Sequence, residues 1–425
     1  MLSTRTSRAR SSGSTIRSVE GARGLAALSV LVYHAAQLSP GHGWLESATS
    51  RLWLGVPLFF VLSGFLLFRP FARAILSGEP LPSVGRYARA RILRIFPAYW
   101  VALAVSIIVE IHYMRPWVLM AGAVAAFAWS WSTRRSPALG VLLAVVAAPL
   151  LISNPGAAWA GLTNFFLVYV PLGPYTLMGV AWTLCIEISF YAALPAFAVV
   201  MARALRRGSA PVVTTILVTP LVLTFPLAWF FVRSTGLAHP LRLWLPAFAD
   251  QFAIGMLLAV ATVLWPRTSV RNSRVAIAFA VGLGLAANLE LFKLGPEAPY
   301  GNGSGFAFSR AMALAFALAL WATLARDEST VLGRILASKP LAAAGTISYG
   351  LYLWHPFVID QLKQTPIWRF EWSDVLMVVA GSAVLATASW WLVERIALSF
   401  KDRPWRVPAE RPARDGLPAV SVADR

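Results

Sequence analysis

The sequence predicts an all-α polytopic membrane protein, a transmembrane bundle of about 10–12 spanning helices. Three observations support this prediction. Of the 425 residues, 58% are hydrophobic and only 13% are charged, whereas a soluble protein has about a quarter charged residues. Stretches without any charged residue, such as 136–186 and 375–393, are long enough to cross about 30 Å of hydrocarbon. These stretches lack the alternation of apolar and polar residues that is typical of membrane β-barrels.

Twelve apolar segments follow one another along the chain, and each is predicted to form a helix. Short inserts that are rich in arginine separate many of them. The intervening stretch 154–180, with Pro171 and Pro174, is a candidate for a further short or re-entrant helix. The twelve segments are 22–40, 52–68, 93–111, 116–132, 137–153, 181–202, 212–232, 246–265, 275–292, 306–325, 343–362 and 374–397.

The basic residues predict the orientation of the bundle. If the amino terminus is cytoplasmic, 29 of the 37 Lys and Arg residues lie in inside segments and seven in outside segments. The positive-inside rule therefore predicts that both termini are cytoplasmic. The polar ends predict disordered cytoplasmic tails at 1–18 and 399–425, on either side of a transmembrane domain at 19–398. We interpret the net charge of +19 as a topology signal, so no nucleic-acid partner is expected.

Other features narrow the class of protein. The single cysteine, Cys185, excludes an internal disulfide and any metal or redox motif built from several cysteines. The first apolar segment lacks a small-residue cleavage pattern, so no removable signal peptide is expected. The sequence has no visible internal repeat, which disfavours a secondary transporter. We expect a multi-pass protein of the inner (cytoplasmic) membrane.

Ionisable residues within the predicted spans are candidates for function because they are costly in a bilayer. Arg23 and His34 are eleven residues apart, or about three helical turns, so they share one face of the first helix with a rise of about 16 Å. That face joins the cytoplasmic interface to the middle of the bilayer. In the structural alternative, Arg23 extends to the interface and His34 is a hydrogen-bonded structural histidine.

Two arginines stand at the entrance of the third predicted helix. Arg91 and Arg94 are neighbours at positions i and i+3, and guanidinium groups are well suited to phosphate oxygens. This arrangement favours an anion site. The alternative is a purely topological role, in which the positive charge only orients the helix.

Three further places in the spans carry polar residues that need partners. Glu187 has no basic residue nearby in sequence, so it must pair across helices or be protonated. His34 or an arginine of another span is its expected partner, and a structural ion pair is the alternative. Asp250 and Arg310 raise the same question. His355 precedes a proline, which leaves a backbone carbonyl group one turn earlier without its hydrogen bond. In the structural alternative, the His355 side chain only satisfies that carbonyl group.

Histidine, glutamate and arginine without metal-ligand spacing favour proton abstraction beside an anionic ligand. A hydroxyl acceptor needs a base, a thioester or ester carbonyl needs an oxyanion donor, and a phosphorylated donor needs arginine. The chain has no Gly-rich phosphate loop, His-x-x-x-His pair or Gly-x-Ser-x-Gly turn. Because Ser63 lacks the second flanking glycine, direct transfer is favoured over a covalent serine intermediate, and no metal site is expected.

Five segments of the sequence resemble, in the same order, the bacterial family of integral-membrane acyltransferases called acyltransferase type 3. Together they span residues 20–356, which is most of the chain. The five segments are 20–34 with Arg23 and His34, 56–66 with Ser63, 91–100 with Arg91 and Arg94, 182–191 with Glu187, and 348–356 with His355.

This resemblance implies O-acylation of a carbohydrate or glycoside hydroxyl by an acetyl or other short acyl group from acyl-coenzyme A. Arg23 and His34 match the arginine and histidine of the family's first helix. The resemblance implies that His34 is the general base and that Arg23 is a partner on the donor side. The family's Arg-x-x-Arg motif maps onto Arg91 and Arg94, which implies contacts with the phosphates of coenzyme A.

The resemblance also implies a catalytic role for Glu187, although Ile188 stands where the usual pattern has a second acid. We further expect Trp182, Tyr191 and His355, which lie in the matching segments, to bind substrate. No permanently bound cofactor is expected. Acyl-coenzyme A, with acetyl-coenzyme A as the first choice, is the expected donor substrate.

The expected partners are the lipid bilayer and a carbohydrate acceptor, such as a cell-envelope polysaccharide, a glycolipid or an antibiotic glycoside. Family members often append an extracytoplasmic hydrolase-like domain, so a separate extracytoplasmic transferase is an additional expected partner. The alternative function is a transporter or flippase of an anionic or lipid-linked sugar. Release of free thiol from acyl-coenzyme A distinguishes the two, because only the enzyme produces it.

Overall fold

The computed structural model describes residues 3–37, 49–109, 155–169, 177–205, 224–230, 243–294, 303–326, 329–368 and 372–402, with a few single positions between 122 and 141. Over these ranges the chain forms helices joined by turns, and none of the described residues is in a strand. The prediction of an all-α fold is therefore confirmed.

The helices are numbered here in chain order. Short 3₁₀ turns at Leu52–Leu54, Gly179–Ala181 and Leu245–Ala247 lead into three of them. The helices are α1 (Ser3–Gln37), α2 (Gly55–Ser77), α3 (Val84–Val109), α4 (Pro155–Phe165), α5 (Trp182–Leu205), α6 (Ala249–Leu264), α7 (Val270–Leu294), α8 (Gly303–Leu324), α9 (Val331–Leu336), α10 (Lys339–Thr346), α11 (Ser348–Lys363), α12 (Trp372–Ser389) and α13 (Arg395–Leu398).

Within the described ranges, six helices are long and apolar enough to cross a membrane. The chain is thus a multi-pass membrane helix bundle, as predicted. The predicted helices at 116–132 and 137–153 and most of the one at 212–232 lie outside the described residues, so the total of 10–12 stays a prediction. The six are Leu52–Ser77, Val84–Val109, Gly179–Leu205, Val270–Asn288, Ala307–Leu324 and Trp372–Leu398.

Some helix bounds differ from the apolar segments that predict them. The segment 343–362 is divided at Ile347, where α10 ends and α11 begins. Between α12 and α13 the helix continues through a π turn at Trp390–Glu394, which adds a residue to the turn and changes the face that the following residues present. At the amino end, α1 begins at Ser3, inside the segment predicted to be a tail. The division into one domain and two tails stays a prediction.

The backbones of α2 and α6 meet because each helix has a glycine at the crossing. A Cβ atom at Gly64 would collide with the carbonyl oxygen of Phe252, and one at Gly255 would collide with that of Val61. Small residues allow such close helix packing in membranes. Beside this crossing, the rings of Phe60 and Phe252 stack with their centroids 4.8 Å apart. The crossing holds α2 in place beside the candidate site.

A buried ion pair joins α6 to α8. The Nε atom of Arg310 lies 2.8 Å from Oδ2 of Asp250, and the guanidinium also donates to the carbonyl oxygen of Ala247. The two ionisable residues therefore neutralise each other. This arrangement matches the structural alternative, and neither residue lines the cavity described below.

Candidate active site

A cavity of about 120 Å³ lies between α1, α2, α3, α5 and α11. Its polar lining brings together residues that are far apart in sequence, and apolar side chains complete its wall. The charged or hydroxylated residues of the lining are Arg23, Ser63, Arg91, Arg94, Thr183, Glu187, Tyr191, Ser348, Tyr349 and Tyr352. Five of the predicted site residues, namely the three arginines, the glutamate and Tyr191, therefore share one cavity.

The carboxyl group of Glu187 accepts two hydrogen bonds in the cavity wall. The Ser63 hydroxyl donates to Oε1 at 3.1 Å, and the Tyr191 hydroxyl donates to Oε2 at 2.5 Å. Tyr191 lies one turn after Glu187 on α5, so the two side chains share a face of that helix. The Arg23 guanidinium of α1 is within electrostatic range of the carboxyl. Arg91 lines the same cavity, so Glu187 lies near two arginines of other helices, whereas His34, the other expected partner, pairs with His355.

The two arginines of α3 have different environments. Arg94 forms an ion pair with Glu394, with Nη1 and Oε2 3.1 Å apart, and its guanidinium faces the rings of Tyr349 and Trp390 at 5.7 and 5.9 Å. The Nε atom of Arg91 is buried and has no hydrogen-bond partner among the described residues. An internal acid thus compensates Arg94, whereas Arg91 offers hydrogen-bonding capacity to a ligand.

Glu394 is a site residue that the sequence analysis missed. It is buried in the π turn, and its carboxylate approaches α3 from the far end of the chain. The sequence alone could have identified Glu394, because it is an acid at the end of a long apolar segment. The rule that intramembrane ionisable residues are functional candidates applies to it as it does to Glu187.

The two predicted site histidines form a pair. Nε2 of His355 lies 3.0 Å from Nδ1 of His34, and the rings are stacked with their centroids 5.1 Å apart. On its other side, Nδ1 of His355 lies 3.2 Å from the carbonyl oxygen of Leu351. His355 is fully buried, whereas His34 is partly exposed. The tertiary fold thus gives His34 a histidine partner from α11.

The histidine pair lies outside the cavity lining. Tyr352 lies between the cavity and the histidine pair, because it lines the cavity and its ring contacts His355 with centroids 5.8 Å apart. The Tyr352 ring also contacts that of Phe59, with centroids 5.9 Å apart. The Tyr352 hydroxyl is held by Thr183 Oγ1 at 2.8 Å and the Val180 carbonyl at 2.9 Å. Two polar centres therefore exist, and an aromatic wall separates them.

The three predicted substrate-binding residues lie in different places. Tyr191 lines the cavity and His355 belongs to the histidine pair. Trp182 does not line the cavity, and its ring packs against Phe248 with centroids 5.6 Å apart. Their contacts with substrate stay predictions.

Comparison with known proteins gives the family. A family model described as an acyltransferase domain matches residues 16–394. Nodulation protein 10 of Rhizobium leguminosarum is 24% identical over 87% of this chain and 92% of its own length. The peptidoglycan O-acetyltransferase OatA of Listeria monocytogenes is 24% identical over 96% of this chain, which spans 61% of that relative. The putative membrane-bound transacylase BcsY of Komagataeibacter xylinus is 25% identical over 91% of this chain and 84% of its own length.

No solved structure matches the chain. The family match covers nearly the whole sequence and includes both polar centres. The chain therefore belongs to the family of integral-membrane acyltransferases that its motifs resemble, and it is an acyl-transferring enzyme.

Proposed function

We propose that this protein moves an acetyl or other short acyl group from acyl-coenzyme A to a carbohydrate hydroxyl, with His34 as the general base. The observation that carries this proposal is the hydrogen-bonded pair of His34 and His355. His34 lies on the same helix, α1, that brings Arg23 to the charged cavity. One helix thus connects a candidate base to a candidate donor site.

The hydrogen bonds of the pair support His34 as the base. A carbonyl oxygen can only accept, so Nδ1 of His355 donates to Leu351 and Nε2 of a neutral His355 accepts. Nδ1 of His34 then donates to His355, which leaves the lone pair on Nε2 of His34. A neutral imidazole held in this tautomer is suited to take the proton of an attacking hydroxyl.

The arginine-lined cavity supports an anionic donor. Arg91, with its unsatisfied Nε atom, is the residue that we assign to the phosphates of coenzyme A. Arg94 contributes positive charge to the same wall, although it is already paired with Glu394. If both termini are cytoplasmic, as the arginine distribution predicts, this end of α1 is on the side where acyl-coenzyme A is available.

The acceptor class rests on the relatives. The Listeria relative is named as a peptidoglycan O-acetyltransferase, and this supports a cell-envelope carbohydrate as the acceptor. The chain spans 61% of the Listeria relative. We include a separate extracytoplasmic transferase as a partner, as the resemblance to the family implies. We place the enzyme in the inner membrane, where donor and envelope precursors both reach it.

The test uses purified protein in lipid nanodiscs with acetyl-coenzyme A and a peptidoglycan-derived disaccharide. We expect thiol release that depends on the disaccharide and a disaccharide product heavier by one acetyl group. His34→Ala should abolish both signals while the protein remains folded by thermal unfolding. His239→Ala, at a histidine of the predicted loop between residues 232 and 246, is the matched control. A fully active His34→Ala variant contradicts the assignment of the base.

A further inference from the structure

Ser63 occupies a chemically specific place in the cavity. It comes from α2, lines the cavity and donates its hydroxyl hydrogen to Glu187 Oε1 at 3.1 Å. The second oxygen of the same carboxyl is held by Tyr191, so the carboxyl is fixed from both sides. A hydroxyl that is bonded to an oriented carboxylate is the arrangement of an activated nucleophile and its base.

We propose that Ser63 carries the acyl group as a covalent ester between acyl-coenzyme A and the final acceptor. This inference rests on the proposed function, since it assumes an acyl-coenzyme A donor. It replaces the direct transfer that the local sequence around Ser63 favours. That sequence lacks a nucleophile turn, but the base for Ser63 comes from another helix, 124 residues further along the chain.

The first step forms the ester. The Oγ atom of Ser63 attacks the carbonyl carbon of the thioester while its proton passes to Glu187. The carbon–sulfur bond then breaks, and the sulfur leaves with its electron pair and takes that proton. Acetyl-coenzyme A and the serine thus become an acetyl ester and free coenzyme A thiol. The guanidinium group of Arg23 lines the same cavity and can stabilise the oxyanion of the intermediate.

The second step delivers the acyl group. The oxygen of the acceptor hydroxyl attacks the ester carbonyl, and its proton passes to Nε2 of His34. The bond between the carbonyl carbon and Oγ breaks, and the proton held by His34 passes to the serine oxygen, which restores both side chains. No oxidant, reductant or other reactant is required. Each step uses its own base, Glu187 in the first and His34 in the second.

The separation of the two polar centres supports two steps. Ser63 and Glu187 line the cavity with the arginines, whereas neither His34 nor His355 does. Phe59, four residues before Ser63, lies one helical turn, or about 6 Å, along α2. Its ring contacts Tyr352, whose ring contacts His355. The second step therefore requires the acceptor hydroxyl to reach both Ser63 and His34 along the path that Phe59 and Tyr352 line.

The experiment measures exchange without any acceptor. Wild-type protein in nanodiscs is incubated with acetyl-coenzyme A and isotopically labelled coenzyme A. Reversible ester formation should move the label into acetyl-coenzyme A, and peptide mapping should find one acetyl group on Ser63. Ser63→Ala should lower the exchange rate by at least about 100-fold. The matched control is Ser189→Ala, because the Ser189 hydroxyl donates to the backbone of its own helix at Cys185.

A second variant separates loss of chemistry from loss of folding. Ser63→Cys keeps the side chain nearly the same size and should retain exchange. Its adduct should be a thioester, which neutral hydroxylamine cleaves, whereas the wild-type oxygen ester needs alkaline hydroxylamine. A change in adduct chemistry that follows the residue at position 63 supports the proposal directly.

Two results would overturn the inference and leave the proposed function intact. One is wild-type protein that acetylates the disaccharide but shows neither exchange nor an adduct. The other is Ser63→Ala protein that acetylates the disaccharide at the wild-type rate. Wild-type protein that consumes no acetyl-coenzyme A under any of these conditions contradicts the proposed function, and the inference fails with it.

Discussion

The cavity that Glu187 lines, called the Glu187 cavity below, differs from the His34–His355 pair in its polar groups. The cavity concentrates ionisable groups: three arginines and an acid line it, and a second acid, Glu394, pairs with one of the arginines. The hydrogen bonds of the histidine pair run from His34 through His355 to the backbone carbonyl of Leu351. We infer from this contrast that the two centres have different roles in the proposed reaction. A charged, phosphate-bearing donor suits the first environment, and deprotonation of an uncharged hydroxyl suits the second.

The largest expected effect comes from His34→Ala. Loss of a general base should lower acetyl transfer to the acceptor by about 10²–10⁴-fold. Exchange between acetyl-coenzyme A and coenzyme A should persist, since it needs only the Glu187 cavity. Glu187→Gln should show the reverse pattern and lose exchange. If both variants lose both activities equally, the two centres do not act separately.

The next effect concerns His355, which we assign as a positioning residue for His34. His355→Ala should lower kcat by up to about 100-fold, because the base loses its orientation, with KM for acetyl-coenzyme A unchanged. His355→Gln should restore part of kcat, since an amide oxygen can accept the hydrogen of His34 Nδ1. Steady-state kinetics separate the two constants. A rise in KM without a fall in kcat would instead assign His355 to the donor site.

An effect of about the same size or smaller is expected from Arg91→Ala. Hydrogen bonds to charged groups contribute about 1.5–3 kcal/mol, so KM for acetyl-coenzyme A should rise about 10- to 100-fold. Acetyl-pantetheine lacks the nucleotide phosphates, and its KM should change much less. Arg86→Ala, at an exposed position on the same helix, is the control. An equal loss with both donors would show that Arg91 does not bind those phosphates.

The smallest effect should come from the wall between the two centres. Tyr352→Phe removes the hydroxyl that bonds to Thr183 and Val180, which should cost about 1 kcal/mol of stability. The ring contacts with Phe59 and His355 should remain. We expect a lower midpoint of thermal unfolding and changes of less than about tenfold in both half-reactions. A large and selective loss of acetyl delivery would indicate that the hydroxyl takes part in chemistry.

The sequence was informative wherever one residue could be judged alone. Arg23, His34 and Glu187 stand out because each interrupts an apolar segment, and the cost of burying such groups marks them without knowledge of their partners. The same argument applies to Glu394, which was overlooked at the end of the last segment. Ser63 gives no such signal, because serine is common in membrane helices, and its significance comes from its contact with Glu187.

By itself, the sequence determined the class of the protein, its helical character, its family motifs and the face of α1 that carries Arg23 and His34. These properties depend on composition, on the helical period and on local spacing. Only the tertiary structure decided that His34 pairs with His355, 321 residues away, and that Glu187 accepts a hydrogen bond from Ser63. The helical period fixes where a side chain points on its own helix. Which helix lies opposite depends on packing, such as the glycine crossing of α2 and α6, and that is set by the whole bundle.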